Sequence, residues 1–309
     1  MIVLYILLVL FIIITLFTGN YFCNIALNPN VSKKYIIRNV TIEDQQNEIK
    51  DNIYGKQWLK EFGEEIDIVS SDNFRLHGYK VENPIKKSNI WVILVHGYMG
   101  CSYEMVKYAE KFINLGFNTW LVDLRAHGKS EGKYIGMGWE DKNDLLLWID
   151  RICKEYKNCK IILYGMSMGA ATVMMTCGEE LPINVKCVVE DCGYSSVSKQ
   201  FRKMLNSVNP IIAKYILVSA NLVCKIKVGY GFKQASCINQ IKKSKIPILF
   251  IHGEKDTFVP TEMLEEVYEA ALVPKEKIIV KDAGHTKSSK MQAQLYWNKV
   301  EKFISCYIN

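Results

Sequence analysis

An apolar run, Lys160 to Tyr164 (KIILY), leads directly into Gly165-Met166-Ser167-Met168-Gly169, and a small-residue stretch follows (Ala170-Ala171-Thr172). That order predicts a strand, a tight turn and a helix, because the apolar run has strand length and the small residues suit close packing of a helix on a sheet. Glycines on both sides let neighbouring elements approach closely, and the turn holds the serine in a strained backbone with its hydroxyl at the carboxyl edge of the sheet. A G-x-S-x-G in this setting marks Ser167 as a candidate nucleophile; the plain alternative is a glycine-rich strand-to-helix connection.

The rest of the chain keeps the same rhythm. Strand candidates are residues 66–70, 74–81 (across an Asp72-Asn73 turn), 90–95, 119–123, 160–164, 185–190, 247–251 and 277–280. Helical candidates between them are 103–115, 139–156, 168–181, 261–272 and 288–307. The first two strands read as a hairpin and the others follow β-α-β order, which predicts an α/β fold with a mostly parallel sheet covered on both faces. More than 50 residues separate the strand ending at Glu190 from the one starting at Pro247, too many for an ordinary connection. They carry helix-like apolar runs (201–208 and 211–228) and predict an inserted helical cap at about 194–245.

A serine hydroxyl needs a base, and the base needs an orienting acid. Of the five histidines, His77 lies in the hairpin, His96 and His127 in H-G turns, and His252 at a strand end. His285, in Asp282-Ala283-Gly284-His285, follows the last strand, and loops after strand carboxyl ends converge on one sheet edge. His285 is therefore the candidate base. Asp256, in His252-Gly253-Glu254-Lys255-Asp256, is the candidate acid; Asp191, Asp123 and Glu254 compete at other strand ends. The backbone N–H groups of Met168 and Tyr98 are the candidate oxyanion donors. His96 reads as turn-stabilising, and Asp123 and Arg125 as fixing a loop. Cys192, with no basic partner nearby in sequence, reads as buried and unreactive.

With His96-Gly97-Tyr98-Met99-Gly100, the stretch Leu121 to Ser130, Glu190 to Tyr194 and Ala283-Gly284-His285, these pieces resemble the α/β-hydrolase superfamily over roughly residues 66–307. They are most similar to bacterial membrane-anchored hydrolases of the serine-aminopeptidase and monoacylglycerol-lipase-like group. The order Ser, Asp, His is the superfamily's. The resemblance implies a serine hydrolase that cleaves acyl esters, including those of lipids or amphiphiles, through an acyl-enzyme with no metal or organic cofactor. A peptidase or thioesterase with the same residues is the alternative, and a non-catalytic membrane scaffold the alternative from another class. His127-Gly128-Lys129-Ser130 fails as a phosphate loop, because Asp123 stands where its first glycine belongs.

Residues 1–32 carry no charge, and Met1 to Phe17 is apolar apart from Thr15. Extended through residue 22, a helix here reaches about 33 Å, enough to cross a bilayer core. The expected division is an anchor at 1–22, a juxtamembrane segment at 23–65 and a hydrolase domain at 66–309. A cleaved signal fits less well, with no basic residue before the run and Asn24 near the one small-residue site. Lys33, Lys34 and Arg38 follow the span, which favours a single-pass protein of the cell membrane with its catalytic domain in the cytoplasm. Ten cysteines without C-x-x-C or framework spacing agree with a reducing compartment, and none has zinc-ligand spacing.

The formal charge of +7 is too mild to argue for nucleic acid. It is also unevenly placed. No Asp or Glu occurs between Asp191 and Glu254, where ten Lys and Arg fall, leaving 29 basic against 32 acidic side chains elsewhere. A basic, apolar cap next to a membrane span raises the expectation of a second contact with lipid, against the alternative of a solvated lysine face.

Overall fold

Eight strands form one sheet in a computed structural model that describes residues 1–31 and 42–308. The strands are β1 (Glu64–Val69), β2 (Arg75–Val81), β3 (Ile90–Val95), β4 (Asn118–Val122), β5 (Lys160–Met166), β6 (Val185–Asp191), β7 (Ile248–Gly253) and β8 (Lys275–Val280), in the order β1-β2-β4-β3-β5-β6-β7-β8. β1 pairs antiparallel with β2 and β2 antiparallel with β4. Every pair from β4 through β3 to β8 is parallel. The central strands are buried on both faces, and their side chains divide with period two: Trp91, Ile93 and Val95 enter one core, Val92 and Leu94 the other.

The helices are α1 (Ile2–Leu27), α2 (Ile42–Phe62), α3 (Val106–Asn114), α4 (Asp141–Glu155), α5 (Met168–Thr176), α6 (Val197–Met204), α7 (Pro210–Val228), α8 (Cys237–Ile241), α9 (Glu262–Ala270), α10 (Ser288–Met291) and α11 (Ala293–Ser305). A 3-10 turn, Ser102–Met105, precedes α3. The expected helix at 288–307 is two helices, because the backbone turns at Gln292 (φ −133°, ψ 61°). The expected helix at 201–208 ends at Met204. Beyond it Asn209 restarts the chain: its side chain accepts from the Ile211 N–H at 3.0 Å and Pro210 opens α7, which stops at Gly229 with φ 87°. Together α6, α7 and α8 make the cap between β6 and β7. Ser196 and Ser236 cap α6 and α8, and the two residues pair as an isolated bridge that draws the cap's ends together.

α1 is long and apolar enough to cross a bilayer. It runs beyond Phe22 to Leu27, and its end is docked: Cys23 and Leu27 are fully buried in the core beside α7. The Ile135 N–H donates to the Leu27 carbonyl at 2.8 Å. Residues 23–27 therefore belong to this helix and pack on the α/β domain. Lys33, Lys34 and Arg38, on which the sidedness of the span rests, lie outside the described residues.

Candidate active site

Ser167 sits between β5 and α5 with φ 57° and ψ −115°, a backbone that an L residue adopts only under constraint. The constraint is visible on both sides. A Cβ at Gly165 would lie 2.2 Å from the Gly169 carbonyl oxygen, and one at Gly169 would lie 2.1 Å from that of Val95. Any side chain at either position would push the turn away from α5 or β3. The Ser167 N–H donates to the Asp191 carbonyl at 2.8 Å, tying the turn to the end of β6.

His285, in the loop after β8, is brought to this turn from 118 positions away, and its Nε2 lies 2.8 Å from Ser167 Oγ. Its Nδ1 lies 2.6 Å from Asp256 Oδ2. The other carboxylate oxygen, Oδ1, accepts the N–H groups of Phe258 (2.9 Å) and Val259 (2.8 Å), so the β7–α9 loop wraps around the acid. Burial opposes charge on Asp256, but hydrogen bonds from His252 and His285 outweigh it and hold the carboxyl down to about 2. An ionised Asp256 fixes the proton of His285 on Nδ1, and Nε2 is left to accept from the serine hydroxyl.

The sequence marks His252 only as a strand end. Its buried Nε2 donates to the Val259 carbonyl at 2.8 Å and lies 3.3 Å from Asp256 Oδ2, so it braces the acid from below. The four-residue spacing from His252 to Asp256 is the signal that was available. The competing acids are occupied elsewhere. Asp191 accepts from the Tyr296 hydroxyl at 2.8 Å, and burial pushes its carboxyl up to about 6. Glu254 accepts from the Asp282 N–H. Asp123 takes the N–H groups of Ser102 and Lys129, while Arg125 pairs with Asp144 and Asp72, which places both in loop structure.

The peptide Gly97-Tyr98 lies against the serine, since a Cβ at Gly97 would sit 3.4 Å from Ser167 Cβ and 3.9 Å from its Oγ. Met168 follows the serine at the N-terminus of α5. Two histidines hold the loop in shape. His96 donates from Nδ1 to Gly97 O (2.7 Å) and accepts the Leu124 N–H at Nε2 (3.0 Å). His127 accepts the Met99 N–H at 3.1 Å. The Tyr98 hydroxyl reaches back to the Ala26 carbonyl at 2.6 Å, so the last turn of α1 supports this loop.

Over Ser167 opens a cleft lined by Tyr98, Met137 and Tyr194 from the domain, Gln200, Phe201 and Met204 from α6, and Phe258. Gln200 donates to the Phe258 carbonyl at 2.9 Å, joining the cap to the loop that carries Asp256. Cys192 lies close enough to Asp256 and His285 for the three to face one cation. Burial keeps its thiol pKa well above the usual range, and a protonated thiol is a poor ligand.

Glu190, next to this group, is fully buried. Its Oε2 accepts from the Gly193 N–H at 3.0 Å, and Oε1 has no hydrogen-bond partner among the described residues. Burial pushes its carboxyl up to about 8. The folded state therefore binds this proton more tightly than the unfolded chain. The resulting stability is full below the unfolded value of about 4.3 and is lost as pH rises through about 8. Between pH 5 and pH 8 the Tm should fall, and Glu190→Gln should shrink that fall by about 5 °C. Thermal melts of both proteins at the two pH values measure it; identical slopes would contradict it.

Residues 86–223 match a family model described as serine aminopeptidase, S33. The uncharacterized protein YqkD of Bacillus subtilis (strain 168) is 27% identical over 238 residues, covering 77% of this chain and 77% of its own. An uncharacterized membrane protein of Saccharomyces cerevisiae is 22% identical over 241 residues, covering 78% of this chain and 79% of its own. Among solved structures, the esterase Pf2001 of Pyrococcus furiosus superposes with a TM-score of 0.66 at 22% identity, over 92% of this chain and 99% of that one. That likeness extends the shared fold to nearly the whole chain.

Proposed function

This chain has the α/β-hydrolase fold, and on that premise we propose that it hydrolyses carboxylic esters through an acyl-enzyme on Ser167. The observation that carries this reading is the unbroken line from Asp256 through His285 to Ser167, ending on a strained serine beneath an apolar cleft. His285 takes the hydroxyl proton at Nε2 as Oγ attacks the ester carbonyl. The oxyanion forms beside the N–H groups of Met168 and Tyr98, and collapse expels the alcohol, which leaves with that proton. Water then attacks the acyl-serine with His285 again as base, and the acid and free serine are released. Asp256 stays ionised throughout and steadies the imidazolium.

The lining of the cleft favours an ester over a peptide with a free amino terminus. An aminopeptidase must hold an α-ammonium group, and among the described residues none that lines the cleft carries a carboxylate. Phe201, Met204 and Phe258 offer an apolar wall suited to an acyl chain instead.

The test is hydrolysis by the full chain of p-nitrophenyl esters from acetate to dodecanoate, with leucine p-nitroanilide and an acyl-CoA as controls. Ester cleavage far above both controls is expected; faster anilide or thioester cleavage would overturn the assignment. Met204→Ala lengthens the cleft at its cap wall. It should raise the octanoate-to-acetate ratio of kcat/KM by about tenfold, and an unchanged ratio would remove Met204 from the acyl site.

A further inference from the structure

α1 and α7 run side by side in the same direction. Thr15 Oγ1 lies 3.0 Å from the Tyr215 hydroxyl, and Lys227 donates to the Asn20 side chain. Gly19 backs onto Ser219 so tightly that a Cβ would sit 2.2 Å from the Ser219 carbonyl oxygen. Nearer the start of α1, the Phe11 ring centroid is 6.3 Å from that of Tyr215. The part of α1 ahead of that contact, Ile2 to Leu10, measures only about 14 Å, roughly half of a hydrocarbon core. Yet Leu16 and Phe17, beside α7, are still 41% and 73% exposed. A bilayer deep enough to cover them would reach the level of α7.

α7 carries an apolar strip of its own. Ile211, Val218, Leu222 and Ile226, spaced by seven, four and four residues, are 80%, 59%, 44% and 70% exposed. Lys214 and Lys225, three residues after Ile211 and Leu222, stand beside that strip, and the surrounding chain from Cys192 to Gly253 has no acidic side chain. Continuity with the apolar surface of α1 and this one-signed charge fit an anionic lipid surface, with lysine stems lying along acyl chains and their ammonium groups at the phosphates.

We propose that α7 is a second membrane-contacting element beside α1, with its apolar strip in the acyl region of an anionic bilayer and the ammonium groups of Lys214 and Lys225 reaching toward the headgroups. The cleft then lies between two lipid-bound parts: α6, which lines it, leads into α7, and Tyr98 is bonded to the end of α1. An ester dissolved in the bilayer reaches Ser167 along this side. That last step rests on the esterase reading; the membrane contact does not.

The test uses the full chain in vesicles of phosphatidylcholine with phosphatidylglycerol and brominated acyl chains. Leu222→Trp and Ile226→Trp should be quenched by the bromines well beyond Ile183→Trp, which places the probe at an exposed site on the α5–β6 connection. Quenching should weaken in high salt or in pure phosphatidylcholine. Equal quenching at all three sites, with the protein still vesicle-bound, would overturn the contact; equal quenching with and without anionic lipid would overturn the role of the lysines. With both lysines reversed to Glu, the ratio of vesicle-ester to soluble-ester hydrolysis should fall about fivefold or more, and an unchanged ratio would overturn access from the bilayer. Loss of soluble-ester hydrolysis in the wild type would instead count against the esterase reading, while quenching still decides the contact.

Discussion

Ser167→Ala is expected to lower kcat for p-nitrophenyl esters by about ten-thousand-fold or more, with a folded protein left behind. The size follows from the chemistry. The acyl-enzyme needs a bond to Oγ, and without it only oxyanion donors and binding remain to assist attack by water. Alanine can occupy the turn because the crowding falls on Gly165 and Gly169 rather than on the serine side chain, whose hydroxyl bonds His285. Initial rates with the variant's Tm beside them give the comparison. A folded variant that keeps a tenth of the wild-type rate would mean that the hydroxyl is not the nucleophile.

Asp256→Asn and Asp191→Asn should part widely, although Asp191 ends β6 and Asp256 follows β7 at the same edge of the sheet. The first should cost about ten-thousand-fold in kcat, since an amide cannot hold the Nδ1 proton and favours the wrong imidazole tautomer. Asp191 bonds Tyr296, and its Oδ1 has no hydrogen-bond partner among the described residues, so an amide there keeps an acceptor for the tyrosine hydroxyl. Its loss should change kcat by less than about tenfold, within the range of an indirect structural effect. Kinetics of the two variants on one ester separate the candidates, and the reverse ranking would move the acid to β6.

The juxtaposition of Ser167, His285 and Asp256 was legible because each residue is announced locally. Gly165 and Gly169 flag the turn around Ser167, and the strand ends before Asp256 and His285 fix which sheet edge they reach. The parallel sheet was legible for a similar reason: β3, with two buried faces, reads as a continuous apolar run. The cap resisted. α6 ends at Met204 where the apolar pattern continues to Val208, because Asn209 and Pro210 recruit the chain into a new cap. The bracing of Asp256 by His252 depends on a loop folding back on its own strand, which spacing alone suggests weakly.

The end of α1 was least legible. Its apolar residues surround the helix, so the pattern marks no face for docking. Gly19 and Cys23 were the available signal, small residues in a bulky run that let α7 approach closely. The outcome is that residues 23–27, expected to begin a juxtamembrane segment, support the Tyr98 loop. A protein lacking α1 (Ile2–Leu27) would therefore lose part of the scaffold beneath the Tyr98 loop.

Reaction of the full chain with a fluorophosphonate, with the adduct located by peptide mass spectrometry, decides whether Ser167 is the nucleophile. One phosphonylated residue, Ser167, is expected, with labelling abolished in Ser167→Ala and strongly slowed in Asp256→Asn. Undiminished labelling of Ser167→Ala, or an adduct mapped to another residue, would contradict it.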